Sequence, residues 1–409
     1  MTIRRSIGLG ARYWAPALLM SLACAAPGLA KEEASFEIFG GVQADYIQDF
    51  NRVDPNWSST LRPSKIATPA GQFGSDGQAE LSVKQSRFGV ASNLPVGDET
   101  VSIHFDFDLF GKGANAGETT FNLQNAYGEW RQILAGQTDT TFMDGAIFPD
   151  TIDYWGPAGM VFVRNPQIRW TPISGPDSFA VAIETPNNNI DVGRARQIDP
   201  GLARNLQADN KAPDLTAHYR AERDWGHIQL AAILRRLGYD TVTTPDNEPS
   251  GHATGWGFNL TGNLKSVGND VLHMGVVYGH GIASYMNDGG VDLALECTVV
   301  AAACVAGTVK ATAVPLLGVS FYYDHYWSDK FSSAIGYSQT RVDNLSGQES
   351  AAFRSGQYAS VNLLWRGAKN VMAGAEALWG RREENGGQHG NDTRVQFTVQ
   401  YKFSKKIVP

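Results

Sequence analysis

Apolar and polar residues alternate with a period of two along much of this chain. The clearest examples are residues 101–109, 228–234 and 395–403, in which nearly every second residue is apolar and most residues between are polar or charged. A strand with this pattern has one apolar face and one polar face. The pattern alone does not identify the solvent at each face, because soluble sandwiches and membrane barrels share it.

We count sixteen alternating or apolar runs and predict that each is a strand. Several are imperfect, and in the second run the apolar phase shifts between Val83 and Phe88, as a β-bulge would make it. The chain is therefore predicted to be all-β. The runs begin near Ser35, Gln78, Thr100, Thr119, Ala135, Phe162, Ser178, Asp214, Gly226, His252, Asp270, Val314, Lys330, Ala352, Asn370 and Asp392.

The segments between the runs alternate in length. Connections near residues 95, 132, 175, 224, 268, 328 and 368 are short, whereas most of those between them are long: 51–77, 143–160, 187–211, 241–250 and 287–312. Outer-membrane barrels have short periplasmic turns and long outer loops. A soluble sandwich has no reason to separate its loops by length in this way. We therefore predict a transmembrane antiparallel β-barrel of 16 strands.

Tryptophan positions support the same architecture. Five of the 10 Trp residues lie within a few residues of the short connections. An aromatic girdle at one membrane interface requires such a placement. The alternative is that Trp favours strand ends for reasons unrelated to a membrane. The five are Trp130, Trp170, Trp225, Trp327 and Trp365.

The N-terminal residues resemble an export signal. Arg4, Arg5 and Arg12 precede an apolar run at residues 14–26, and "PGLA" ends at Ala30 with the small residues that a signal peptidase prefers. We predict a signal peptide at 1–30 and a barrel domain at 31–409. A lipoprotein cut before Cys24 is the alternative, although Ser21 stands where Leu is expected. Beyond residue 30 no run of about 18 apolar residues occurs, which argues against helical membrane spans.

Charge and cysteine content limit the possible partners. The formal net charge of −7 makes nucleic acid an improbable partner. Cys297 and Cys304 are close in sequence, and an oxidising compartment favours a local disulfide between them. A metal site would need additional ligands, and only Glu296 is nearby. We expect no metal and no cofactor.

Other functions for a β-rich exported protein are possible. A hydrolase would need a nucleophile near a histidine, but no nucleophile-elbow motif accompanies the histidines of the predicted strands, so we expect no enzyme. An energy-coupled transporter would need an N-terminal plug, and only about five residues separate Lys31 from the first strand. A soluble β-rich adhesin or binding protein stays open as an alternative.

A sixteen-stranded barrel leaves an aqueous channel, and the long segment after the fifth run is the best candidate for an inward-folded constriction loop. Arginine forks on the polar faces would concentrate anions there. We expect acids of this loop and of the wall to oppose them, which would create a transverse field. The predicted basic wall comprises Arg87, Arg164, Arg169, Arg220, Arg235, Arg354 and Arg394. The opposing acids are Asp106, Asp108, Asp144, Asp150, Asp153 and Glu376.

Three segments carry a resemblance to a known family. "FGGVQADY", "GQTDTTF" and "DYWGPAGMVFVRNPQIRWT" resemble the DcaP-type trimeric porins of Gram-negative outer membranes, and the resemblance covers nearly all of residues 31–409. It implies sixteen strands, an inward-folded third loop and passive uptake of small organic anions, including dicarboxylates. A non-selective general diffusion porin stays the alternative.

The resemblance also implies partners. We expect membrane lipid, lipopolysaccharide, small anionic solutes and two further copies of the chain. Some relatives carry a periplasmic N-terminal coiled coil, for which the segment after Lys31 is too short. Barrel walls would therefore hold a trimer together, through small lipid-facing residues such as Gly40 and Ala44.

Overall fold

The alternating runs form a sheet of sixteen antiparallel strands that closes on itself, which confirms the predicted barrel. The computed structural model describes residues 34–199, 201–298 and 304–408, so the predicted signal peptide lies outside the described residues. The strands are Ser35–Asp49 (β1), Gln78–Ser82 with Arg87–Val96 (β2), Glu99–Phe110 (β3), Thr119–Trp130 (β4), Ile133–Asp139 (β5), Arg164–Ile173 (β6), Asp177–Glu184 (β7), Asp214–Arg223 (β8), Gly226–Thr241 (β9), Gly251–Lys265 (β10), Val271–His280 (β11), Pro315–Tyr326 (β12), Phe331–Val342 (β13), Phe353–Ala368 (β14), Val371–Glu384 (β15) and His389–Ile407 (β16).

The first strand closes the barrel. β1 pairs with β16 from Phe36 opposite Ile407 to Asp49 opposite Arg394, and it also pairs with both parts of β2. The interruption of β2 falls at residues 83–86, where the sequence phase shifts. Because each strand has a partner on both sides, the barrel has no open edge whose backbone groups would be unsatisfied in lipid.

Short turns and longer loops occupy opposite ends of the barrel. The seven turns have at most five residues each, at 97–98, 131–132, 174–176, 224–225, 266–270, 327–330 and 369–370. The eight loops are L1 (50–77), L2 (111–118), L3 (140–163), L4 (185–213), L5 (242–250), L6 (281–314), L7 (343–352) and L8 (385–388). No helix within the described ranges is long and apolar enough to cross a membrane.

The apolar face of each strand points outward. Ile228, Leu230, Phe397 and Val399 are all at least 40% exposed, whereas Gln229 and Gln396 on the same strands are buried inside. The five Trp residues near the turns are exposed by 37% to 65%. The outer wall therefore suits lipid, with an aromatic girdle at the turn end.

Loops L4 and L6 build a small structure of their own at the loop end. Leu293–Cys297 pairs with Val309–Ala313 and with Ile190–Asp191, while Leu206–Ala208 extends the barrel sheet beside β9. The sulfur atoms of Cys297 and Cys304 are bonded, with their Cα atoms 5.8 Å apart. The one α-helix of the described residues is Leu202–Asn205; the 3-10 turns are Pro55–Trp57, Pro63–Lys65, Gly113–Asn115, Gly145–Ile147, Gly193–Gln197, Pro245–Asn247, Ala283–Tyr285 and Ala306–Thr308.

Candidate pore site

Loop L3 lies inside the barrel, against the inner faces of distant strands. The backbone N–H groups of Ile152 and Asp153 donate to the Glu376 carboxylate on β15, at 2.9 and 3.0 Å. Asn362 on β14 donates to the carbonyl of Asp150. On another part of the wall, Asn259 of β10 donates to the carbonyl of Phe142. The loop follows β5, as expected from the sequence.

Asp144 fixes the first part of L3 to the wall. Its carboxylate accepts hydrogen bonds from Arg220 on β8 at 3.1 Å and Thr261 on β10 at 2.8 Å, and it lies 2.7 Å from a ring nitrogen of His227 on β9. It also caps the short turn that begins at Gly145. Burial alone would raise its pKa, but the bond with His227 and the Arg220 charge lower the pKa of Asp144 to about 2. This contact is therefore ionic at neutral pH.

The tip of L3 is held by two further acids. Asp150 accepts a 2.5 Å bond from Arg366 on β14. Asp153 accepts bonds from the hydroxyl of Thr60 at 2.8 Å and the backbone N–H of Leu61 at 3.0 Å, both in L1. Burial raises the pKa of Asp150 and of Asp153, and the neighbouring arginines oppose that shift. L1 and L3 therefore meet at one anchored junction.

Two arginines of the predicted basic wall are enclosed rather than exposed to the channel. Arg394 donates to Asp49 at 2.5 and 2.9 Å, and its side chain is 0% exposed. Arg235 is equally buried between Asp214 at 3.0 Å and Asp292 at 2.9 Å. Alternation correctly placed both inside the barrel. It did not indicate that other protein atoms would cover them.

The prediction for Arg354 is wrong, because this residue lies on the outer face. β14 and β15 change register between Phe353 and Ser355, so that Phe353 opposes Glu384 and Ser355 opposes Glu383. A bulge of this kind re-aims a side chain. Arg354 approaches Glu383 at 3.9 Å, away from the channel.

The structure places Arg87 and Arg164 near Tyr154 of L3. Arg87 binds Asp106 at 2.6 Å, and Arg164 pairs with Asp139 at 2.9 Å while donating to Gln124. The Tyr154 hydroxyl donates to Asp108 at 2.6 Å. Burial and the Asp108 charge raise the pKa of the Tyr154 hydroxyl, and the charges of Arg164 and Arg87 oppose that shift.

Arg169 lies on the same part of the wall as Arg164, and both contact Asp139. It donates to the side chain of Gln167 and to the carbonyl of Asp139. The predicted set therefore divides into several groups, and it does not form one ring.

Sequence reasoning missed three basic residues around L3. Lys112 of L2 lies 5.3 Å above the ring of Tyr154 and 5.1 Å above that of Trp155. Arg62 of L1 lies 4.2 Å from the rings of both Trp57 and Trp155. Strand alternation cannot place loop residues such as these. The third residue is Arg366, which binds Asp150 from the turn end of β14. Arg366 occupies an inward-facing position in the alternation of this strand, so the sequence pattern could have predicted that it faces the channel.

Lys112 differs from the arginines because it forms no ion pair within the part of the chain that the structure describes. Burial lowers its pKa to about 8; nearby Asp108 opposes this shift, and Arg164 and Arg62 add to it. Its ammonium group is held by aromatic faces, which attract cations without neutralising them.

In three ion pairs the acid is covered while the base stays accessible. Asp106 is 0% exposed and Arg87 19%; Asp144 is 1% exposed and Arg220 22%. Asp288 is 1% exposed and its partner Arg62 16%. Three further pairs differ: Asp139 is more exposed than Arg164, Glu222 at 59% is more exposed than Arg220, and Asp150 and Arg366 are about equally exposed. In the first three pairs the accessible atoms belong to the positive partner.

Comparisons with known proteins agree with this geometry. The family model of the DcaP outer membrane protein matches residues 28–403. No curated protein matches the chain. The outer membrane channel DcaP of Acinetobacter baumannii superposes with a TM-score of 0.75 at 19% identity, over 91% of this chain and 99% of the other.

Two more distant porins share the fold. An anion-selective porin from Comamonas acidovorans superposes with a TM-score of 0.54 at 9% identity, covering 91% of this chain and 100% of that chain. OmpT of Vibrio cholerae gives 0.53 at 11% identity, covering 92% and 100%. At these identities the likeness shows the fold alone. The family match over nearly the whole length shows that this chain belongs to the DcaP outer membrane protein family and is a channel of the Gram-negative outer membrane.

Proposed function

We propose that the channel conducts small organic anions, including dicarboxylates, in preference to cations. The observation that carries this proposal is the unequal exposure of three ion pairs beside L3, in which Arg62, Arg87 and Arg220 stay accessible while Asp288, Asp106 and Asp144 are covered. Lys112 adds a positive charge without an acidic partner among the described residues. The Comamonas acidovorans porin of the same fold is anion-selective, which is compatible with this proposal.

In this proposal the basic residues near L3 decide which ions the channel prefers, although the chain as a whole has a negative net charge. At an effective dielectric constant near 20, two charges about 4 Å apart interact by on the order of 4 kcal/mol before screening. Exposed acids more than a Debye length of about 8 Å from these basic residues are largely screened. Guanidinium groups stay charged at every physiological pH and bind carboxylates through two parallel hydrogen bonds. L3, which lies in the lumen, would bring the solute close to these groups.

Substitution of accessible basic residues tests this selectivity. We expect wild-type channels under a salt gradient to show an anion-selective reversal potential. The triple variant Lys112→Gln, Arg169→Gln, Arg220→Gln should shift this potential toward cations and slow dicarboxylate uptake into liposomes several-fold. Uptake of a neutral sugar should change little. Asp144 keeps its contacts with His227 and Thr261 in this variant, so L3 should stay in place.

The control for this experiment removes equal charge at the turn end of the barrel, through Lys265→Gln, Lys330→Gln, Lys369→Gln in the turns and their flanks. It should leave selectivity unchanged. A cation-selective wild type would refute the proposal. Equal slowing of sugar and dicarboxylate in the triple variant would mean that these side chains only support L3.

We also propose that the channel is a homotrimer, joined through an aromatic ridge on β2, β3 and β4. Phe107 of this ridge contacts Phe88 at 5.9 Å and Phe121 at 4.7 Å between ring centroids, and Phe121 is 73% exposed. Gly40 is a less suitable contact than expected from the sequence, because the ring of Phe403 already occupies the space beside it. Apolar walls of this kind associate readily in closed barrels.

The trimer should migrate as one heat-sensitive species on gels of unheated protein. Phe88→Ser, Phe107→Ser, Phe121→Ser should shift it toward monomer, because these three rings would lie in the contact. The matched control is Phe258→Ser, Phe321→Ser, Phe331→Ser, which removes outward rings of β10, β12 and β13. A wild type that is monomeric at all concentrations in mild detergent would contradict this assignment.

A further inference from the structure

Three arginines on adjacent strands face outward near the loop end of the barrel. We call Arg341 on β13, Arg354 on β14 and Arg381 on β15 the outer arginine patch. The strand registers place them together, since Arg341 opposes Ser355 and Arg381 opposes Gln357. The bulge of β14 adds the third member, because it turns Arg354 to the same face as Ser355. None of these side chains faces the channel.

The patch lies directly beyond the apolar belt, on the loop side. Tyr337, Ala359 and Trp379 form one outward row across β13, β14 and β15. Arg381 is two residues beyond Trp379, and Arg341 is four residues beyond Tyr337. At about 3.3 Å per residue these steps are roughly 7 and 13 Å along the strands. With the strand tilt typical of such barrels, the patch stands about 5 to 10 Å beyond the aromatic row, at headgroup depth.

The protein supplies only distant acidic partners for the guanidinium groups of the patch. Arg341 approaches Asp343 only to 3.7 Å, and both side chains are more than half exposed. Arg354 approaches Glu383 only to 3.9 Å. Arg381 has no ion pair or side-chain hydrogen bond among the described residues. Inner arginines such as Arg394 and Arg87 are held at 2.5 to 2.6 Å. The three guanidinium groups thus keep free donors, with an excess of one positive charge over the two acids.

We propose that the outer arginine patch binds the phosphate groups of lipid A, the anionic anchor of lipopolysaccharide in the outer leaflet. Guanidinium groups suit phosphate because they donate two parallel bonds to it. The acyl chains would lie on the outward residues Ile335, Val361 and Leu363 of the same strands, which are 45% to 55% exposed. The site is separate from the channel lumen, and it does not depend on the proposed anion preference.

Native mass spectrometry of the detergent-solubilised protein with added diphosphoryl lipid A tests this site. We expect wild-type protein to retain lipid A and Arg341→Gln, Arg354→Gln, Arg381→Gln to retain it about a hundredfold less, since each basic residue near a charged lipid surface favours binding by about a factor of five. Single-channel conductance of this variant should equal that of wild type, which also reports correct folding. If the triple variant folds poorly, Arg381→Gln alone should still weaken retention measurably.

The matched control is Lys265→Gln, Lys330→Gln, Lys369→Gln at the turn end, which removes the same charge and should keep full lipid A retention. Monophosphoryl lipid A should bind wild type more weakly than the diphosphoryl form, and inorganic phosphate should not displace either. Equal retention by wild type and the patch variant would overturn the proposal. So would equal loss in the turn-end control, displacement by inorganic phosphate, or equally strong retention of phosphatidylglycerol.

Discussion

Deletion of residues 146–159 should raise single-channel conductance about twofold or more. This segment of L3 lies in the lumen, where Asp150 and Asp153 bind Arg366 and the L1 backbone. Its removal should widen the aqueous path while Asp144 still ties the remaining loop to the wall. The measurement is conductance in planar bilayers, with heat-modifiable gel migration as evidence of a closed barrel. The prediction rests on L3 as the narrowing element, which the sequence also led us to expect.

Deletion of residues 244–247 in L5 provides the matched control. Three of these four residues, Pro245, Asp246 and Asn247, are exposed at the loop end of the barrel. The variant that lacks residues 244–247 should have the same single-channel conductance as wild type. If the L3 deletion folds as a closed barrel and its conductance is also unchanged, L3 does not set the width of the channel.

The strands were predictable because their signal is local. A period of two along each run, with short turns between alternate runs, is sufficient to identify sixteen strands, and Gly226 and Asp214 begin strands where the sequence indicated. Arg354 was assigned to the wrong face because the prediction used only this local signal. A single extra residue in β14 reverses the faces, and nothing in the alternation of that run marks the bulge.

The site was less predictable because its contacts join distant parts of the chain. Arg220 and Asp144 are 76 positions apart, and Arg394 and Asp49 are 345 apart. Alternation indicates which face a side chain occupies, but it does not indicate which acid meets which base. Loop residues such as Lys112 do not belong to an alternating strand pattern, so alternation cannot predict which way they face. Their positions depend on how L1, L2 and L3 pack together.

The contacts in the structure give the acids of L3 a different role from the one that the sequence predicted. The sequence suggested that acids would oppose a basic wall across the channel, but Asp144, Asp150 and Asp153 are all bonded directly to the wall or to L1. Their charges are used to hold L3 in place. At Asp144 the bond covers the acid and leaves Arg220 accessible, so at this point the contact that anchors the loop also supports the proposed preference for anions.

Arg394→Gln should destabilise the barrel by on the order of 3 to 5 kcal/mol. The side chain is 0% exposed and binds Asp49 at 2.5 and 2.9 Å and the carbonyl of Ser58 at 2.9 Å, with Asp153 at 4.0 Å. Removing one partner of a buried ion pair leaves the other as an uncompensated charge. Urea unfolding of the reconstituted protein, followed by tryptophan fluorescence, measures the loss. Arg394→Gln combined with Asp49→Asn should recover part of it.

The effect of Arg394→Gln should also depend on pH. Burial raises the pKa of Asp153, and Arg394 opposes that shift. In the variant this carboxyl should take up a proton more readily in the folded state than in the unfolded state, so stability increases relative to wild type as the pH falls. The deficit should therefore be larger at pH 8 than at pH 4. Arg341→Gln, whose partner is exposed and 3.7 Å away, is the control and should change stability by less than about 0.5 kcal/mol. A variant at Arg394 as stable as this control would show that the buried pair contributes nothing to holding L1 and L3 against the wall.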